Sequence, residues 1–227
     1  MAIVKKYRAK VEEIFNPLPD IYSVSFTSEK EFKYLPGQFL HLALDDYDGI
    51  GQWPESRCFS MQSSPNAEII KITFAVKGSF TKRMIKELHA GKKIWLKLPY
   101  GDIFERGHSK INCVFIAGGT GITPFLSLFN CNSFSGYISP KLYFGVRKNN
   151  YNIFKSELFI ANKINSSFYI NIIEQDKNGV LDIEKIYKNN PGSVYFMSGP
   201  PVMIKNFKNY LLGRNIPSTN ILTDDWE

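Results

Sequence analysis

The sequence is poor in the residues that hold metals. It has three cysteines, Cys58, Cys113 and Cys131, and three histidines, His41, His89 and His108. No two cysteines form a CxxC pair and the histidines lack ligand spacing, which argues against a zinc site or a self-contained iron–sulfur cluster. Cys113 stands in an apolar stretch and reads as a small core residue. No apolar run approaches the length of a membrane span, and the opening MAIVKKYRAK has no apolar leader core. The expected location is therefore the reducing cytoplasm. Long runs of one charge are also missing. Lys plus Arg is 28 against 21 Asp plus Glu, a net charge of +7 spread through short pairs such as Lys5-Lys6 and Lys92-Lys93. That scatter speaks against a nucleic-acid partner. It fits a basic face for anionic cofactors or an acidic protein partner, and it also fits plain solubility. Repeats and low-complexity segments are absent.

What is present falls into two rhythms. A chain of 227 residues suits one large domain or two small ones. The first half alternates apolar and polar residues in YRAKVEEIF, IYSVSF, QFLHLAL, IIKITFAV and KIWLKL, broken by turns at Leu35-Pro36-Gly37 and Pro65-Asn66. Period two in short segments predicts an antiparallel barrel or sandwich. One helix is expected at about Phe80–His89, with Met84, Ile85 and Leu88 on one face and Gly91 ending it. The stretch 45–56 reads as a long loop.

From about Ile111 short apolar runs appear at CVFIA, KLYFGV, FYINII, SVYFMS and NILT. Helices are expected between them at Thr123–Phe129, Phe154–Ala161, Asp182–Lys188 and Pro201–Leu212. Alternating strands and helices predict an α/β doubly wound, five-stranded parallel sheet that binds its ligand at the C-terminal strand ends. The boundary is expected in the polar stretch ERGHSK, giving domains 1–107 and 108–227.

The segment AGGTGITP at 117–124 follows the first strand of the second half and opens a helix, with Thr123 as the expected cap and Pro124 in the first turn. Glycines allow close approach to the free N–H groups of a helix start, where a pyrophosphate is a natural guest. The segment is not a P-loop, because no Gly-Lys-Ser/Thr follows, and it is not GxGxxG, because Pro124 takes the third glycine position.

Other segments join it: PGQFLHLAL at 36–44, RCFS at 57–60, KGSFT at 77–81, LPYGDIF at 98–104 and MSGPPVM at 197–203. In this order and spacing the chain resembles the ferredoxin–NADP reductase superfamily from about residue 5 to its end. The resemblance implies a flavin-binding antiparallel β-barrel domain followed by a nicotinamide-nucleotide α/β domain. Arg57 would neutralise a flavin phosphate, a task for which its fork suits better than a lysine. Cys58 lies within the same motif. Phe59, standing where the family usually has Tyr, would pack on the isoalloxazine. Ser60 would hydrogen-bond near flavin N5. Gly78, Ser79, Phe80 and Thr81 would hold the flavin pyrophosphate, which favours FAD over FMN.

Gly118, Gly119, Thr120 and Gly121 would receive the nicotinamide nucleotide, with Thr120 nearest the ring. Ser198, Gly199 and Pro200 match the family's Cys-Gly-Pro, with Ser in place of Cys. Asp224 and Trp226, in the ending TDDWE, resemble an acidic-x-aromatic terminus in which Trp covers the flavin and Asp helps position the hydride or a proton. Ser60, Ser198 and Asp224 are the candidate catalytic residues. Arg147 and Lys148 follow YFGV with no acidic residue near them in sequence, which favours NADPH over NADH. The implied activity is an FAD-dependent NAD(P)H oxidoreductase that hands electrons to a separate carrier such as a ferredoxin, a flavodoxin or an oxygenase component. A free-flavin or ferric reductase and a non-catalytic flavin- or nucleotide-binding subunit are the alternatives.

Overall fold

The structure, a computed structural model, describes residues 3–65 and 67–224. The chain divides into two compact units, Met1–Gly101 and Asp102–Glu227. The division falls ahead of the ERGHSK stretch, because Ile103 and Phe104 already pack in the second core.

The first unit contains β1 (Lys5–Leu18), β2 (Ile21–Ser28), β3 (Phe39–Ala43), β4 (Ser56–Ser60), β5 (Ile70–Ala75), α1 (Ser79–Glu87) and β6 (Lys93–Tyr100). They form one six-stranded antiparallel sheet in the order β4-β3-β6-β1-β2-β5. The period-two pattern works as expected. Tyr7, Ala9 and Val11 turn inward from β1, as do Leu40 and Leu42 from β3 and Ile94, Leu96 and Leu98 from β6. The sheet is barrel-like rather than closed by continuous pairing. Its edges meet where Gln62 N donates to Lys71 O at 2.8 Å and Phe59 lies 5.6 Å from Phe74. RCFS is therefore itself the edge strand. Gln38 of PGQ ties the unit together: its side chain accepts from Leu35 N and donates to Gly101 O.

Helix α1 closes one end of the barrel by burying Phe80 and Met84. It stops at Glu87, short of the expected end. Gly91 does not cap it; at φ +85° it forms the turn into β6, where its N–H donates to Val11 O. The loop 45–56 is as expected, and Arg83 of α1 clamps both its ends. Its guanidinium contacts Asp45 at 2.7 Å and Glu55 at 3.7 Å, and it is also paired with Glu87 at 2.9 Å. The hydrogen bonds from Arg83 hold the Asp45 carboxyl below its ordinary range. The clamp is thus intact at neutral pH and loosens only as pH falls through that lowered value.

The second unit contains β7 (Cys113–Gly118), α2 (Thr123–Phe129), β8 (Lys141–Val146), α3 (Lys155–Ile164), β9 (Tyr169–Glu174), the short α4 (Gln175–Asn178), α5 (Ile183–Asn189), β10 (Val194–Ser198), α6 (Pro201–Gly213) and β11 (Ile221–Thr223). The strands are parallel in the order β11-β10-β7-β8-β9, so the topology reverses between β7 and β10. Both sheet faces are covered. An aromatic core of Phe115, Phe125, Phe129, Phe134 and Phe196 packs on one, and Val114, Ile116, Met197, Phe207 and Leu211 pack on the other. Each such side chain contributes roughly 1.5–3 kcal/mol of burial. Cys113 is fully buried, as expected, and burial pushes its thiol up to about 12. Asp182 caps α5 by accepting from Glu184 N and Lys185 N.

Thr123 departs from its expected role. A 3-10 turn over Gly119–Ile122 runs straight into α2, so Thr123 lies inside the helix and its hydroxyl donates back to Thr120 O at 3.0 Å. With the preceding turn already helical, position 123 has no cap to make.

Candidate functional site

In the first unit the pleat sorts the RCFS motif. Arg57 and Phe59 face one way and Cys58 the other. The Arg57 guanidinium stands 5.3 Å over the ring of Phe80, the second residue of α1. A cationic fork and the positive end of a nine-residue helix therefore converge. Gly78 is the cap residue of that helix. Its φ of −129° is open to any residue, and a Cβ there would meet no protein atom within 4 Å. Neither backbone conformation nor internal packing requires glycine at this position. The position is open to a group approaching from outside, and a cradle of this kind beside first-turn N–H groups fits a pyrophosphate. The donor set is thus compatible with a phosphate-bearing flavin.

Several motif residues also have partners within the protein. The Thr81 hydroxyl accepts from Lys77 N and Gly78 N and donates to Gly78 O, so it shapes the turn instead of reaching outward. Ser79 is exposed in the first turn, and Phe80 is a core anchor. Phe59 is only 8% exposed and packs among the barrel residues, so its ring belongs to the core as much as to a site. Cys58 turns onto His41, with Sγ 3.5 Å from Nε2, on the face opposite Arg57. Burial raises the Cys58 pKa and lowers that of His41, to which Lys97 adds. Ser60 is buried at the end of β4, paired with Phe39.

In the second unit two glycine turns meet at the topological reversal. Ser198 pairs with Ala117, which places the ends of β10 and β7 side by side. A Cβ on Gly121 would lie 2.5 Å from Gly199 Cα and 2.6 Å from Ser198 O; one on Gly118 would lie 2.9 Å from Pro200 Cδ. These glycines are needed first for the two turns to touch each other. Gly119, with φ +56° and open space around it, and Gly199, with φ +150°, need glycine for their own conformations as well. Thr120 stands in the 3-10 turn between them. Ser198 Oγ donates to Asp224 Oδ2 at 3.3 Å, and Asp224 N donates to Met197 O at 3.0 Å. The two candidate catalytic residues of this unit are thereby joined. Trp226 lies outside the described residues.

Sequence reasoning missed Glu174. It ends β9 and pairs with Val146 at the end of β8, one residue before Arg147. Its carboxylate, 14% exposed, contacts Lys177 at 2.6 Å and accepts from Asn149 at 2.7 Å; these bonds hold its pKa below the ordinary range. The available signal was its place directly after the apolar run FYINII, equivalent to that of Arg147 after YFGV. Among the described residues no group of His, Cys, Asp and Glu could hold a metal, and no helix is long and apolar enough to cross a membrane.

No family model matches the chain. It is 26% identical over 217 residues to the reductase component of phenol 2-monooxygenase from Pseudomonas sp. (strain CF600), covering 88% of this chain and 60% of that one. It is 28% identical over 210 residues to the anthranilate 1,2-dioxygenase electron transfer component of Acinetobacter baylyi, covering 86% of this chain and 59% of that one. The chain thus spans about three fifths of the length of these relatives. A ferredoxin NADP+ reductase from Neisseria gonorrhoeae, solved with bound FAD and NADP, superposes with a TM-score of 0.75 at 19% identity, over 94% of this chain and 92% of that one. The six-stranded antiparallel unit followed by the five-stranded parallel one is thus the two-domain fold of that ferredoxin NADP+ reductase.

Proposed function

We propose that the chain is an FAD-dependent NAD(P)H oxidoreductase that passes electrons to a separate acceptor protein. The observation that carries the reading is Gly78: an open position at the start of α1, two residues before the Phe80 ring on which the Arg57 guanidinium stands, with no internal reason to be glycine. The first unit is the FAD-binding domain and the second the nicotinamide-binding domain. FAD, when bound, supplies a hydride acceptor at N5 and can release electrons singly.

The chain's own residues bind and orient. Arg57 neutralises phosphate, and the first-turn amides of α1 donate to the pyrophosphate. Ser60 donates toward the N5 edge, and Phe59 supports the ring from the barrel side. Gly119 and Thr120 face the nicotinamide nucleotide at the strand ends, where ligands bind in open α/β sheets. Asp224 fixes the Ser198 hydroxyl, and the pair limits how the nicotinamide ring lies, on which transfer depends. The acceptor corresponds to the role named for the oxygenase reductase components among the relatives. The net charge of +7 favours an acidic one.

Glu174 revises the donor. Arg147 and Lys148 pointed to NADPH, but the β8–β9 register sets Glu174 opposite Val146, the residue before Arg147. A carboxylate at a strand end accepts from a ribose 2′-hydroxyl and repels a 2′-phosphate. NADH is therefore the preferred donor.

The test is steady-state ferricyanide reduction by the FAD-reconstituted protein with each nucleotide. NADH is expected to give the higher kcat/KM. Glu174→Ser is expected to narrow that preference by about tenfold, since juxtaposed like charges are costly. No turnover with either nucleotide would contradict the function; equal preference, or an unchanged ratio in the variant, would contradict the role of Glu174.

A further inference from the structure

Arg57 is not waiting with an empty guanidinium. Its Nη2 is 3.0 Å from Glu55 Oε1, and its Nη1 donates to Ser56 O at 2.8 Å. The other Glu55 oxygen, Oε2, is 3.7 Å from Arg83 Nη1. One carboxylate therefore straddles two guanidinium groups. The two arginines are held differently. Arg83 is fixed by Asp45 at 2.7 Å and Glu87 at 2.9 Å, whereas among the described residues Glu55 is the one carboxylate paired with Arg57.

A phosphate approaching Arg57 meets a carboxylate already on the fork it needs. Glu55 has somewhere to go. Arg83 lies within ion-pair reach of its second oxygen, so a side-chain rotation exchanges one arginine for the other without leaving the carboxylate unpaired.

We propose that Glu55 is a built-in competitor for the flavin phosphate: it occupies Arg57 in the free protein and transfers to Arg83 when the phosphate arrives. This rests on the assignment of the flavin site to Arg57 and α1. Both side chains of the Glu55–Arg57 pair are about half exposed, 49% and 52%, so the competition is modest and reversible. Its consequence is a hold on flavin weaker than the Arg57–helix geometry alone would give, which favours exchange with free flavin.

Glu55→Gln keeps the shape and removes the charge. FAD, FMN and riboflavin would be titrated into the flavin-free chain, following quenching of flavin fluorescence at low and at high salt. Glu29→Gln, on the exposed turn after β2, removes one equal charge away from the motif. The proposal expects the Kd of FAD and FMN to fall about two- to fivefold in Glu55→Gln at low salt, and the gain to shrink as salt rises. Riboflavin, which lacks the phosphate, should bind both proteins alike, and Glu29→Gln should match the wild type. Unchanged or weaker FAD binding in Glu55→Gln would overturn the proposal, as would an equal gain for riboflavin or for Glu29→Gln. Wild-type protein that binds no FAD at all would instead remove the flavin site itself, and this proposal with it.

Discussion

Gly121→Ala is expected to destabilise the second unit by about 3 kcal/mol, near the upper end of what overpacking usually costs. The added methyl would lie 2.5 Å from Gly199 Cα, 2.6 Å from Gly199 N and 2.6 Å from Ser198 O. These are backbone atoms at the end of β10, which β7 and β11 hold from both sides. They cannot yield as a flexible side chain would, so the two turns must separate. Nicotinamide-dependent reduction should be lost with them, because both turns that receive the nucleotide move. Gly213→Ala is the matched control. Gly213 ends α6, and a methyl there meets nothing within 4 Å. That change should be neutral or stabilising by up to about 1 kcal/mol. Urea unfolding followed by far-ultraviolet circular dichroism measures both. A loss below about 1 kcal/mol for Gly121→Ala would mean that the turns are not packed as described.

Arg57→Ala is expected to weaken FAD binding by about 10- to 100-fold, the equivalent of a charge-assisted hydrogen bond of roughly 1.5–3 kcal/mol. Fold stability should change little, because the pair with Glu55 is exposed on both sides. Arg57→Lys should fall between, since a lysine keeps the charge but not the fork. Flavin titration separates these outcomes. Riboflavin affinity should be unaffected by either change. FAD affinity equal to wild type in Arg57→Ala would place the phosphate elsewhere.

Much of this was legible in the sequence, for identifiable reasons. Strand alternation through Tyr7, Ala9 and Val11 is a local property, so the barrel strands could be read directly. Helix α2 begins and ends where Thr123 and Phe129 suggested. The motifs brought Ser198 and Asp224 together although 25 residues separate them in the chain. What could not be read depends on register and on neighbours distant in sequence. Gly121 reads as a ligand-facing glycine until the parallel pairing of β10 with β7 sets it against Gly199. Glu174 becomes relevant only when β9 lies beside β8. Glu55 pairs with the nearby Arg57, but its second partner, Arg83, comes from a helix far along the chain. Cys58 could be placed by the pleat alone, which turns it away from Arg57 and onto His41.

The central claim is that this chain holds a flavin which a nicotinamide nucleotide reduces. The most direct test is the visible spectrum of the FAD-reconstituted protein under anaerobic conditions, before and after NADH and, separately, NADPH. The account predicts flavin bands that bleach with nucleotide, faster with NADH. A protein that takes up no flavin, or whose flavin bands persist with both nucleotides, would contradict it.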